Sequence, residues 1–124
     1  MIIGIGTDIV EIERIRGVLS RKGESFVKRI LTPAEQMQFE SKKDQSRFLA
    51  KRFAAKEAAA KALGTGFRQG VSWQDFEVLN DELGRPQLFS SGKAEQLLQE
   101  KNAKVSHISI SDERHYTIAF VVYS

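Results

Sequence analysis

The run FLAKRFAAKEAAAKALGTG, from Phe48 to Gly66, says more about the architecture than any other part of the chain. Ala, Leu, Lys and Glu fill it, and nothing interrupts it before Gly64-Thr65-Gly66, where a left-handed residue can stop a helix. The spacing predicts one long helix. Phe48, Ala55, Ala59 and Ala62 recur on one side, with Leu49, Phe53, Ala60 and Leu63 beside them, so the helix should be buried around much of its circumference. Glu57 and Lys61 stand at i and i+4, a carboxylate and an ammonium on one face just ahead of the glycine turn. A surface ion pair of that kind contributes roughly 0.2–0.5 kcal/mol. A functional role requires other groups to converge on it.

Before this helix, Ile2 to Val10 is β-branched and reads as a strand whose Gly4 and Gly6 leave room for a neighbouring backbone or a ligand. Ile12, Ile15 and Leu19 then take helical spacing. Asp8 with Glu11 also fits a capping box, which would make Asp8 a helix cap. Gly4 and Gly6 begin a dinucleotide fingerprint, but Ile9 stands where its third glycine belongs, and no series of βαβ units follows. Phe26, Val27 and Ile30 point inward from a short turn, and Thr32-Pro33-Ala34-Glu35 is a strong helix start, running to about Ser41. Lys42 to Ser46 reads as a charged connector.

Beyond Gly70, Trp73 and Phe76 to Leu79 suggest a strand that turns through Asp81 to Pro86 into Gln87-Leu88-Phe89. A helix is expected from Lys93 to about Lys101, then a closing hairpin of Val105 to Ser111 and Tyr116 to Tyr123. The expectation is an α+β fold: a small antiparallel sheet packed with a long central helix, as one domain over residues 1–124.

The composition, 41% hydrophobic and 28% charged, is that of a globular protein. With no Cys there is neither a disulfide framework nor a thiolate metal site. No basic leader precedes the apolar start and no run approaches the ~18 apolar residues of a membrane span, so a cytoplasmic protein without a membrane partner is expected. The net charge of +3 favours an acidic or phosphate-bearing partner. Its excess is local, in Arg14, Arg16, Arg21, Lys22, Lys28 and Arg29. No aromatic platform is interleaved with these cations, which argues against nucleic acid.

Asp8 at a strand exit and Glu57 on a buried helix form the best pair for a hard divalent cation such as Mg²⁺, which takes its remaining ligands from water and substrate phosphates. Lys61 would then neutralise a phosphoryl leaving group. Arg52 and Arg85 are candidates for attracting a phosphate to the Gly64-Thr65-Gly66 turn.

Two blocks carry a resemblance. Gly6-Thr7-Asp8-Ile9-Val10-Glu11-Ile12 with Arg14, and Arg52-Phe53-Ala54-Ala55-Lys56-Glu57-Ala58 with Lys61 and Gly64-Thr65-Gly66, resemble the signatures of the bacterial holo-[acyl-carrier-protein] synthases, a branch of the 4′-phosphopantetheinyl transferase family. The likeness extends through Gly84-Arg85-Pro86 and Ser109-Ile110-Ser111.

The resemblance implies that fold and transfer of the phosphopantetheine arm of coenzyme A to a serine of acidic apo acyl carrier protein, releasing adenosine 3′,5′-bisphosphate, in fatty acid biosynthesis. It further implies that Asp8 and Glu57 hold Mg²⁺, that Glu57 or a metal-bound water takes the serine proton, and that Lys61 stabilises the leaving bisphosphate. Arg52, Gly64, Thr65, Gly66, Arg85, Pro86, Ser109 and Ser111 would line the coenzyme A pocket, and Arg14, Arg21 and Arg29 would meet the carrier protein. Short relatives form homotrimers with sites at subunit interfaces, so the Asp8 and Glu57 blocks can come from different chains. One position departs from the pattern: Asp112 stands where many relatives carry a His near the coenzyme A phosphates, leaving that contact missing or taken by Arg114 or His115. His107 reads as structural. The alternative function is a non-catalytic basic module that binds an acidic protein or nucleic acid through Arg14 to Arg29.

Overall fold

A computed structural model describes all residues 1–124. The chain order is β1 (Gly4–Glu11), α1 (Ile12–Lys22), α2 (Glu24–Ile30), α3 (Pro33–Glu40), α4 (Gln45–Leu63), a 3₁₀ turn (Trp73–Asp75), β2 (Phe76–Asn80), β3 (Pro86–Ser90), α5 (Gly92–Glu100), β4 (Ser106–Asp112) and β5 (Tyr116–Tyr123). The α+β expectation holds.

Helix α4 is the hub. Thirteen of its residues are buried, among them Leu49, Ala50, Ala54, Ala55, Ala58, Ala59 and Leu63, and it lies across β1 and β5. Small side chains let the strands approach closely, and the glycines of β1 complete the fit. A side chain's first carbon at Gly6 would fall inside the carbonyl oxygen of Ala58, and one at Gly4 inside that of Ala62. The room left by these glycines is filled by backbone, not ligand. This contact fixes β1 against the helix face that carries Glu57 and Lys61.

The helix begins earlier than its apolar pattern suggested. Asp44, read above as part of a connector, is the N-cap and accepts from the Arg47 N–H at 3.1 Å. At the other end Gly64 is left-handed, with φ 91°, and its N–H donates to the Ala60 and Lys61 carbonyls. The capping box at Thr32 and Glu35 forms as expected. The one at Asp8 does not: β1 continues to Glu11, Asp8 pairs with Ala119 across the ladder, and Glu11 caps α1 without a side-chain bond.

The strands form two sheets, not one: an antiparallel three-stranded sheet β1-β5-β4 and the separate β2-β3 hairpin. Strand β3 runs alongside β4, where the Ser106 hydroxyl donates to the Leu88 carbonyl at 2.9 Å, but no backbone ladder joins them. Expected strand Trp73 lies in the 3₁₀ turn.

A buried ion pair locks the second layer to the first. Lys56 and Glu35, both fully buried, meet at 2.6 Å. The Lys56 ammonium also donates to the Ile30 carbonyl at 2.6 Å and the Trp73 carbonyl at 3.2 Å. The Glu35 carboxylate in turn accepts from the N–H groups of Thr32 and Val78. All three ammonium donors and both carboxylate oxygens are engaged, and the end of α2, the start of α3, β2 and α4 are joined.

Candidate active site

Strand alternation turns Gly4, Gly6, Asp8 and Val10 toward α4 and leaves Ile5, Thr7, Ile9 and Glu11 on the other face of the sheet. Asp8 thereby meets the last turns of α4. The Lys61 ammonium donates to the Asp8 carboxylate at 3.1 Å and to the Thr7 carbonyl at 3.0 Å. The i, i+4 pair of Lys61 with Glu57 does not form, because Lys61 reaches across to the strand instead.

Glu57 stays half-buried, and loss of hydration followed by the negative charge of Asp8 pushes its carboxyl above the usual carboxylate range; Lys61 and then Arg14 pull it back. Phe53, one turn earlier on the same face, lies 4.9 Å from the Trp73 ring and contributes to this dry flank. Asp8, Glu57, Lys61 and Arg14 therefore share one site within a single chain. In metal-free protein the Glu57 carboxyl should titrate above the ordinary range and move back toward it in Asp8→Asn. Side-chain carboxyl NMR checks this, and an unshifted Glu57 would show the two carboxylates to be uncoupled.

The remaining pocket residues divide. Gly64 and Gly66, both at positive φ, leave open space just beyond Lys61, with Thr65 buried between them. Arg52 sits elsewhere: five residues from Glu57, it projects about 140° away around the helix. It is only 4% exposed, stacks over the Phe48 ring at 4.6 Å and donates to the Asn80 side chain at 3.2 Å. Its Nε has no partner and no carboxylate pairs with it; burial lowers its pKa, with Glu35 opposing. It lines a cleft of ≈ 80 Å³ with Lys51, Asn80, Gly84, Pro86 and Ile110. Exposed Arg85 borders the adjoining trough between β3 and β4.

Ser109 and Ser111 pair with Phe120 and Ile118, which places them on the outward face of the sheet, opposite Asp8. One chain thus brings Asp8, Glu57, Lys61 and the glycine turn together, and keeps Arg52, Pro86 and the two serines apart from them. Arg14, Arg21 and Arg29 are exposed and make no ion pair, and only Arg14 acts on Glu57. His107 is exposed, with Nε2 3.3 Å from the Ser124 hydroxyl.

Asp112 accepts from Arg47 at 2.8 Å, and Lys51 lies 3.7 Å away. The side chains of Arg114 and His115 are exposed, while their carbonyls accept from Arg47 and from the Ile12 N–H. Sequence reading missed Arg47, Lys51 and Asn80. The signal for the first two was their i, i+4 spacing, which puts two cations on one helix face able to meet the late Asp112-Glu113 acids.

No group of three or more His, Cys, Asp or Glu side chains converges anywhere in the chain. Asp8 and Glu57, two repelling carboxylates with a cation drawn to one of them, suit a hard divalent ion that completes its shell with water and phosphate oxygens.

A small α+β protein with a two-carboxylate, lysine-flanked site is defined by these features, and the chain belongs to the 4′-phosphopantetheinyl transferase superfamily, whose family model it matches over residues 4–121. It is 57% identical over 122 residues to a holo-[acyl-carrier-protein] synthase of Vibrio cholerae, covering 98% of this chain and 97% of the relative. Its structure is similar to that of holo-[acyl-carrier-protein] synthase from Neisseria meningitidis, with TM-score 0.93, 45% identity and coverage of 100% and 99% of the two chains. The Helicobacter pylori enzyme, in complex with coenzyme A, matches with TM-score 0.85 and 32% identity over 97% and 99%.

Proposed function

We infer that this chain transfers the 4′-phosphopantetheine group of coenzyme A to a serine of apo acyl carrier protein, in the service of fatty acid biosynthesis. The observation that carries the reading is the convergence of Asp8, Glu57 and Lys61 where both signature blocks meet. A purely binding role for a basic module leaves the close approach of Asp8 to a partly desolvated Glu57 without a purpose.

The serine oxygen attacks the β-phosphorus of the pyrophosphate; the new O–P bond forms as the bond to adenosine 3′,5′-bisphosphate breaks. Glu57, whose environment raises its proton affinity, takes the serine proton. Lys61, held between Thr7 and Asp8, is placed to offset charge on the departing bisphosphate. Asp8 and Glu57 would hold Mg²⁺, which supplies positive charge against the pyrophosphate when bound. Arg14, beside Glu57, with Arg21 and Arg29 offers the acidic carrier protein a cationic approach.

A homotrimer explains the divided site. The outward face of the β1-β5-β4 sheet exposes Ile5, Ile9, Tyr116, Ile118 and Phe120 together, an apolar patch of the kind that marks an interaction surface. Copies joined through this face would set the Arg52 cleft and the Ser109–Ser111 strand of one against Glu57 of the next. Light scattering that returned one chain's mass would remove this arrangement. No helix is long and apolar enough to cross a membrane; the cytoplasm, where coenzyme A and carrier protein meet, is where we place the reaction.

Chromatography of a mixture with coenzyme A and Mg²⁺ tests the reading: adenosine 3′,5′-bisphosphate should appear only when apo carrier with its acceptor serine is added. Release that is independent of the carrier would overturn it.

A further inference from the structure

Arg47, whose backbone N–H is capped by Asp44, also carries the most connected side chain at this end of α4. Its guanidinium donates to the Asp112 carboxylate at 2.8 Å, to the Glu113 carbonyl at 2.7 Å, to the Arg114 carbonyl at 3.1 Å and to Asp44 at 3.3 Å. Asp112 shares a strand face with Ile110, and Ile110 lines the cleft that holds Lys51 and buried Arg52. Asp112 itself lines a neighbouring cavity with Ser111, Glu113 and Tyr116, and it touches the cleft through Lys51, which has no other carboxylate within ion-pair distance. Lys51 is on the same helix face as Arg47 and forms a longer ion pair with the other Asp112 oxygen at 3.7 Å, too far for a hydrogen bond, while Arg47 takes the short contact.

We propose that Arg47 is a charge-compensating, positioning residue for coenzyme A: by occupying Asp112 it leaves Lys51 available, with Arg52, to an anionic phosphate group entering the cleft. This rests on reading the Arg52 cleft as part of the coenzyme A site. Without Arg47, Asp112 captures Lys51 and repels the incoming anion. Asp112 is thus tolerable at this position only beside Arg47, and removing both should restore what removing Arg47 alone takes away.

Steady-state kinetics of the full-length enzyme with coenzyme A, apo carrier and Mg²⁺ test this. Arg47→Gln should raise KM for coenzyme A about five-fold, with kcat and the carrier KM nearly unmoved. Asp112→Asn, which keeps the carbonyl bonds of Arg47, should leave that KM at or below the parent value. The Arg47→Gln/Asp112→Asn double variant should return toward the parent, and Arg47→Lys should lie close to it. Lys51→Ala should raise the coenzyme A KM on its own. A flat response to Lys51→Ala would overturn the cleft reading and the proposal together. A raised KM in Lys51→Ala with none in Arg47→Gln, or a double variant as impaired as Arg47→Gln, would overturn the role of Arg47 alone. Should Arg47→Gln fail to fold, Arg47→Lys and Asp112→Asn carry the test, and a five-fold KM rise in either contradicts it.

Discussion

Glu57→Gln is expected to abolish transfer, with kcat lower by about 10³-fold, while the protein remains folded and melts no lower than the parent. Both halves follow from one environment. Burial and Asp8 raise the Glu57 carboxyl above the ordinary range. An acid whose pKa is raised by folding binds its proton more tightly in the native state, so the stability it contributes falls as pH rises through the ordinary carboxylate range and on through the raised value. At neutral pH the ionised carboxylate therefore opposes folding, and a neutral amide relieves that opposition. Glutamine keeps the volume but can neither accept the serine proton nor supply charge to a cation. A residue that served as a surface ion pair would behave oppositely, losing a little stability and no activity. Thermal melts beside initial rates separate the two, and near-parent rates would remove Glu57 from the chemistry.

Lys56→Met, one residue away, should do the reverse. It leaves the buried Glu35 carboxyl facing the N–H groups of Thr32 and Val78 with its cation gone. Breaking a buried pair this way costs about 3–5 kcal/mol. Adding Glu35→Gln should recover part of the loss, since the charge disappears while an amide oxygen still accepts. Urea denaturation of both variants measures this, and a loss below about 1 kcal/mol in Lys56→Met would place the pair among interactions of surface strength. Neighbouring charged residues on one helix thus divide their tasks: Lys56 holds layers together and Glu57 is held ready at their edge.

The sequence made α4 legible because its signals are local: composition, apolar spacing and a glycine turn that needs φ above zero. The Thr32 capping box was legible for the same reason. Asp8 and Glu57 were paired from their chemistry, and the close packing at Gly6 is what brings them together. What escaped was set by long-range placement. Glu35 and Lys56 are 21 residues apart and Arg47 and Asp112 are 65 apart, so no periodicity joins them. The Glu57–Lys61 pair satisfied a local rule that Asp8 overrode by offering Lys61 a better-placed acceptor together with the Thr7 carbonyl. The strands divide into two sheets, with a Ser106 side-chain bond to Leu88 where β3 and β4 run together, a long-range arrangement that no local pattern specifies. Asp112, an acid where a phosphate contact was expected, is held by Arg47, a residue that no sequence pattern had singled out.

The central claim is that this site moves a phosphopantetheine arm onto a serine, and intact-mass measurement of the carrier protein tests it most directly. After incubation with the enzyme, coenzyme A and Mg²⁺, apo carrier should gain about 340 Da on its acceptor serine. A carrier mass that stays unchanged, with a carrier competent toward another phosphopantetheinyl transferase, would contradict it.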